Sequence, residues 1–373
     1  MTIERERPPG QIITFYSYKG GVGRSRALAN IAYQLSRHHS VLCLDFDLEA
    51  PGLMSYFAEW DTSPEVKYGD RAGVIDMFYS YREYLTLPSP LRKVLDWKSL
   101  VHTVTVRRRD GVSNIDFIGP GRQTQEYGNR VTRFDWKGLY ENLQGGAFVE
   151  QLRDEMRASY DYVLIDSRTG LSDTGGICSI QFPTILVLVF TSSPQSLKGL
   201  ESIVDDIGRQ HTALRETRVP IIPLPSRIDR KEEKREYDAW FQKVCEGPLG
   251  QLLDPLLKGS TVASLLQKIT VNYFPWYTYH DVLESDREAD DDVDSNAWRY
   301  RNLVQLIYDA STLSAEDPQK SAAQERIRLK LTQEENRVEF DLENLLATST
   351  TAIRSIRRTL TNFDELLKDL MSS

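Results

Sequence analysis

A series of short apolar runs, each stopping at a polar or acidic residue, sets the terms for this chain: "IITFYS", "VLCLDFD", "YVLIDS", "TILVLVFTSS" and "VPIIPLPSRID". Their Ile, Leu, Val and Phe residues are nearly consecutive, and a strand of that kind has to be covered on both faces. Helix-spaced stretches lie between them, from Arg26 to Ser36, around Phe148 to Ala158, and in "SLKGLESIVDDIGRQ". Covered strands alternating with amphipathic helices predict an α/β fold, with a mostly parallel, doubly wound sheet and helices on both faces. Ligands of such sheets bind at the carboxyl ends of the strands. The polar ends of the runs are therefore where chemistry is expected.

At 373 residues and 40% hydrophobic, the chain has ample material for a buried core. Its formal net charge of -8 gives no general attraction for nucleic acid or an anionic membrane, and leaves only a local basic patch as a route to either. The cysteines, Cys43, Cys178 and Cys245, include no C-x-x-C pair and read as reduced thiols, not as a disulfide frame or zinc site. The opening "MTIERERPPG" has no apolar segment of signal-peptide type, and the run "TILVLVF" is too short to cross a bilayer. A soluble, cytoplasmic protein is expected.

Two regions stand apart from the alternating pattern. Residues from about 60 to 148 are less regular, with aromatics, a basic run at Arg107 to Arg109 and the strand-like "NIDFIGPG". From Ser311 glycine disappears and Gln, Glu, Arg and Leu dominate. Ile353, Ile356, Leu360, Phe363, Leu367 and Leu370 there alternate three and four apart, the seam of a packed or coiled helix. The predicted organisation is a sheet domain over 1–310, with an irregular insert at about 60–148, and an α-helical C-terminal extension over 311–373.

The loop "KGGVGRS", Lys19 to Ser25, follows a strand and opens a helix. Gly20, Gly21 and Gly23 let successive backbone N–H groups turn inward as an anion nest, and the following helix adds its positive end. Val22, Arg24, Ser25 and Arg26 complete the phosphate-facing stretch, with the Ser25 hydroxyl a candidate Mg²⁺ ligand. Asp47, closing "LDFD", is placed to orient an attacking water with the metal nearby. Asp166, closing "YVLID", has the form of a Walker B carboxylate that holds Mg²⁺. Gly170 follows at a spacing where its N–H could meet a γ-phosphate. A Gly-rich turn or a strand-end Asp can arise without any ligand. Several strand ends with matched roles, in order, argue against coincidence. The departure from G-x-x-x-x-G-K-[ST] is Arg24, where lysine is usual, with a lysine earlier at Lys19.

"KGGVGRS", "LDFDLEAPGL" and "DYVLIDSRTGLSD" together resemble the deviant Walker A ATPases, the ParA/MinD group of the SIMIBI P-loop class. More narrowly, the chain is similar to the variant subgroup whose loop reads KGGVGR. The resemblance covers roughly Ile12 to Ala310 and implies a P-loop NTPase sheet, ATP and Mg²⁺ as cofactors, and a homodimer formed across the nucleotide. It implies that Lys19 reaches the partner subunit's phosphates and that Arg24 serves those of its own. A guanidinium binds phosphate bidentately but does not sit where an ammonium sits, so binding should survive while the hydrolysis rate is left open. In "PLPSRID", Ser226 and Arg227 stand where the group usually places a base-contacting Asn. With Asp229 they also echo the N-K-x-D element of GTPases, or form a plain turn. The residues leave ATP and GTP open, and the resemblance favours ATP. Pro275, in "YFPWYTYHD", matches a stretch that often flanks the base.

Neighbouring families fit less well. Cys178 lacks the partner that an iron–sulfur bridge would need. The last tyrosine, Tyr308, precedes the tail where bacterial tyrosine kinases carry a cluster, and the C-x-x-C of zinc-bridged targeting ATPases is absent. In the tail, Arg354, Arg357 and Arg358 suit a membrane-surface helix, but Asp364, Glu365 and Asp369 oppose it. Self-packing or contact with a protein partner fits the seam better. The expected function is a Mg²⁺-dependent, slowly hydrolysing ATP switch that dimerises, in a bacterial signalling or antiphage defence setting by resemblance. The alternatives are a non-hydrolysing, ATP-bound assembly module for a partner effector, and a partition or positioning ATPase.

Overall fold

The computed structural model describes residues 9–61, 68–86, 95–108, 110–169, 176–215, 218–230 and 234–313. They belong to one compact unit, Met1–Ser314. The C-terminal seam from Ile353 to Leu370 lies outside the described residues.

The apolar runs form strands, as their composition requires: β1 (Gln11–Tyr16), β2 (Val41–Asp45), β5 (Tyr162–Asp166), β6 (Ile185–Phe190) and β7 (Ile221–Pro225). The irregular insert contributes two more, β3 (His102–Arg108) and β4 (Gly111–Ile118). Together they make a seven-stranded sheet in the order β3-β4-β2-β5-β1-β6-β7. All neighbours are parallel except β3 and β4, which pair antiparallel as a hairpin. Along β3, His102, Val104 and Val106 are buried while Thr103, Thr105 and Arg107 are exposed, the alternation of a one-sided edge strand. Pro223 and Pro225 lie in β7 at the opposite edge, where the missing N–H groups disturb only one ladder.

Helices of seven residues or more are α1 (Arg24–Leu35), α2 (Val74–Thr86), α3 (Tyr127–Arg133), α4 (Trp136–Asn142), α5 (Gly145–Ser159), α6 (Pro194–Arg215), α7 (Lys234–Glu246), α8 (Val262–Ile269) and α9 (Asn296–Leu313). Successive strand residues point to opposite faces, so two cores form. Ile13, Phe15, Cys43 and Leu164 join Leu28 of α1 and Leu303 of α9 on one side. Ile12, Leu42, Leu44 and Val163 join Phe78 of α2 and Phe148 of α5 on the other. Trp136, inside the insert, sits in that second core with its ring centroid 4.9 Å from that of Phe78. The insert is therefore structural, supplying a sheet edge and half of one core. Its basic run is partly consumed as well. Arg108 stacks over the Tyr33 ring at 3.7 Å and donates to the Tyr33 carbonyl, while Arg109 lies outside the described residues.

Candidate functional site

β1 ends at Tyr16 and α1 begins at Arg24, so the glycine loop is stretched between a buried strand and a helix N-terminus. Gly21 and Gly23 take positive φ values of 73° and 90°, which L side chains adopt only with strain. Cβ atoms added at Gly20 or Gly21 would meet nothing within 4 Å. The loop thus borders open space, a cavity of about 440 Å³ lined by Gly20 to Arg26, Asp47, Ser226 and Arg227 among others. Its position at the carboxyl ends of β1, β2 and β7 is where the sheet topology places a ligand.

The acidic groups come from adjacent strands. Asp45 and Asp166 are register partners on β2 and β5, which sets two carboxylates side by side in the interior. Burial, followed by the charge of Asp166, lifts the Asp45 carboxyl well above the usual range. Its Oδ2 accepts from the Leu53 N–H at 3.3 Å, and Oδ1 has no hydrogen-bond partner among the described residues. Burial also raises Asp47, with Arg24 pulling in the opposite direction.

Arg24 is at the centre of this cluster. Only 6% exposed, it places Nε 2.5 Å from Asp166 Oδ1 and Nη2 2.5 Å from Asp47 Oδ2, with Nη1 3.4 Å from Ser17 Oγ. Burial works against its charge, but Asp166 and then Asp47 outweigh it and hold the guanidinium protonated. The expectation for Arg24 was phosphate in its own subunit. In this structure it spans two carboxylates, because a buried guanidinium must be paired and these are the anions within reach of its fork.

The other expected residues distribute as follows. Lys19 is half-buried and its Nζ donates to Gln195 Oε1 at the start of α6. The neighbouring Tyr18 ring packs on Gly199 of α6, where a Cβ would lie 2.2 Å from it. Arg26 lines the cavity, but its guanidinium donates to the carbonyl of Tyr277 and stands 4.0 Å from Glu284. Ser226 is buried beside the loop, and a Cβ on Gly23 would come within 2.9 Å of its Oγ. Arg227, with φ 56°, donates to the Gly21 carbonyl at 2.6 Å and lies 5.3 Å over the Tyr273 ring. The loop after β7 and the glycine loop therefore pack directly on each other. Pro275 is exposed and off the cavity wall, whereas its neighbours Tyr273, Phe274 and Tyr277 line it. Gly170 lies outside the described residues.

The sequence reading missed several wall residues. Arg168 and Glu49 pair at 2.7 Å, and both follow motif aspartates closely enough that "DSRTG" and "DLEAPG" could have flagged them. Tyr56, Glu284 and Tyr300 reach the cavity only through the tertiary fold, so no local signal exists for them. Glu284 accepts from Asn30 Nδ2 at 2.7 Å, and burial pushes its carboxyl up to about 7.

Magnesium is the metal this motif set implies, and the donors fit it. Ser25 and Asp47 line the cavity, and Asp166 Oδ2 is a buried oxygen with no hydrogen-bond partner among the described residues. Among the described residues no group of His, Cys, Asp and Glu forms a cage for an ion.

No family model matches the chain, and no curated protein matches it. Solved structures do. A plasmid partition protein from Borrelia burgdorferi bound to AMPPNP superposes with a TM-score of 0.54 at 16% identity, covering 80% of this chain and 98% of the other. The septum site-determining protein MinD from Pyrococcus horikoshii OT3, complexed with Mg-ADP, gives 0.51 at 14% identity over 83% and 100%. The pNOB8 ParA bound to nonspecific DNA gives 0.50 at 16% identity over 80% and 99%. These structural neighbours are ParA/MinD-type P-loop ATPases, and the chain has their fold. Among the described residues no helix is long and apolar enough to cross a membrane.

Proposed function

We propose that this protein is a nucleotide switch that binds ATP with Mg²⁺ at the Lys19–Ser25 loop, pairs with a second copy across the nucleotide, and hydrolyses slowly. The observation that carries the reading is the loop itself. Glycines at positive φ, a helix N-terminus and open space meet at the carboxyl end of β1, beside Asp47 and a fold whose neighbours carry AMPPNP and Mg-ADP.

Each residue then has a task. The N–H groups of Gly20 to Ser25 would cradle the phosphates, and Gly170, at its sequence spacing, would approach the terminal one. Ser25, Asp47 and Asp166 would hold the metal, which when bound neutralises charge on the phosphates. Asp47 would orient the attacking water. Arg227 and Ser226, set against the loop beside Tyr273, would border the base, with the segment around Pro275 behind. Lys19, held by Gln195 on its own chain, would be released to a partner's phosphates.

A second reading has its own support. Asp47, the residue assigned to the water, is tied to Arg24. A site in which that pair persists would bind ATP without turning it over and act as an assembly module for a partner, the C-terminal extension being the proposed contact. Signalling or defence remains the proposed setting, with partition or positioning, as in the neighbours, the alternative. The formal charge of -8 gives no reason to add nucleic acid as a partner.

The test is titration with fluorescent ATP in the presence of Mg²⁺. Ser25→Ala and Asp166→Asn should each weaken binding by about ten- to a hundredfold, the loss of a charge-assisted contact, with unchanged circular dichroism. Undiminished binding in both variants would contradict the site.

A further inference from the structure

We infer that Arg24 holds the place of the metal ion, so that Asp47 and Asp166 become free for a divalent cation only once a triphosphate has drawn the guanidinium away. This rests on the nucleotide site proposed above and adds an order of events to it.

The geometry leaves little room for another arrangement. Asp166 is fully buried and does not line the cavity, while Arg24, bonded to it at 2.5 Å, does. Anything approaching Asp166 from the cavity meets the guanidinium first. The same side chain occupies Asp47 at 2.5 Å, so both candidate metal carboxylates are paired with one cation. A divalent ion entering there would face a permanently charged group of like sign at contact distance.

The arginine substitution makes this possible. A lysine at position 24 would offer a point charge, whereas the guanidinium fork can bond two separate carboxylates at once. Arg24 is also the first residue of α1, next to the glycine nest. Phosphate oxygens seated in that nest would offer it bidentate acceptors carrying more charge than the carboxylates it leaves. Its move would turn one blocked site into two functional ones, a phosphate clamp and a pair of open carboxylates.

The test uses Mn²⁺ as the probe, followed by electron paramagnetic resonance with the nucleotide-free full chain. Arg24→Gln should bind Mn²⁺ at least about tenfold more tightly than the parent, because a repelling charge has been removed from between two carboxylates. Adding Asp166→Asn to that variant should abolish the gain. Equal Mn²⁺ affinity in parent and Arg24→Gln, whether tight or weak, overturns the proposal. Should Arg24→Gln fail to fold, Arg24→Met removes the cation while keeping an unbranched side chain, and it should raise Mn²⁺ affinity by a similar factor. An unchanged affinity there overturns the proposal as well. A separate arm titrates fluorescent ATP into the parent in EDTA. Binding without metal is expected, and a strict requirement for Mg²⁺ contradicts the ordering. A parent that binds no nucleotide under any condition removes the proposed function and the triphosphate as releasing agent. The Mn²⁺ arm still reports whether Arg24 holds the metal's place, since it contains no nucleotide.

Discussion

At Asp47 one carboxylate serves two interactions that exclude each other. It is bonded to Arg24 in this structure, and the proposed chemistry needs it beside a water. Positioning of that kind contributes on the order of 10²–10⁴-fold in rate. At saturating ATP, Asp47→Ala should lose turnover by that factor, read as phosphate release in a single-turnover assay. Release at the parent rate would assign the water to another residue, and a parent without turnover would favour the assembly-module reading. The parts of the site legible in the sequence are those fixed by local spacing. Lys19 to Ser25, Asp47 and Asp166 each sit at the end of a strand or in the turn after it. The Arg24–Asp166 bond joins residues 142 positions apart, and nothing in "GRS" announces where that guanidinium will point.

Among the elements, the segment that folds back from α8 to α9 shows how much a distant stretch contributes to the site. Arg26 of α1 is tied to the Tyr277 carbonyl, Asn30 to Glu284, and Tyr33 to Asp286 at 2.7 Å. These bonds fasten the helix behind the glycine loop to the cavity's aromatic wall. Glu284 makes the fastening sensitive to pH. Its carboxyl titrates at about 7 in the folded chain, against an ordinary value of 4.5. Between those values the folded state keeps a proton that the unfolded state has lost, so stability falls as pH rises from about 4.5 to 7 and stays lower above it. At pH 8 the ionised, buried group costs on the order of 3 kcal/mol. Glu284→Gln keeps an acceptor for Asn30 and cannot ionise. Its urea midpoint should exceed the parent's at pH 8, with the difference shrinking towards pH 5. A difference that stays constant with pH would contradict the assignment. The β3–β4 hairpin illustrates the opposite case. Gly111, at φ 151°, opens β4 opposite Arg108, the last residue of β3. The period-2 alternation of β3 is present in "HTVTVR", with the basic run Arg107 to Arg109 at its end.

For the whole molecule the fold was the most legible feature, because strands covered on both faces are apolar throughout and cannot be mistaken for surface. The arrangement of two copies is the part that a single chain does not display. The proposal makes Lys19 the residue that joins them. Arg24 can offset charge within its own site, so a second cation in the same loop has a use when two loaded sites face each other. Their phosphates repel, and a lysine donated each way, under two-fold symmetry, turns that repulsion into attraction. Gln195 holds Lys19 on its own chain, which gives the side chain a resting place to leave. The decisive measurement is the mass of the parent and of Lys19→Ala by light scattering, with ATP–Mg²⁺, with ADP–Mg²⁺ and without nucleotide. The parent should double its mass with ATP alone, while Lys19→Ala should bind ATP and remain a monomer. A parent whose mass ignores ATP, or a variant that pairs as readily as the parent, would contradict the account.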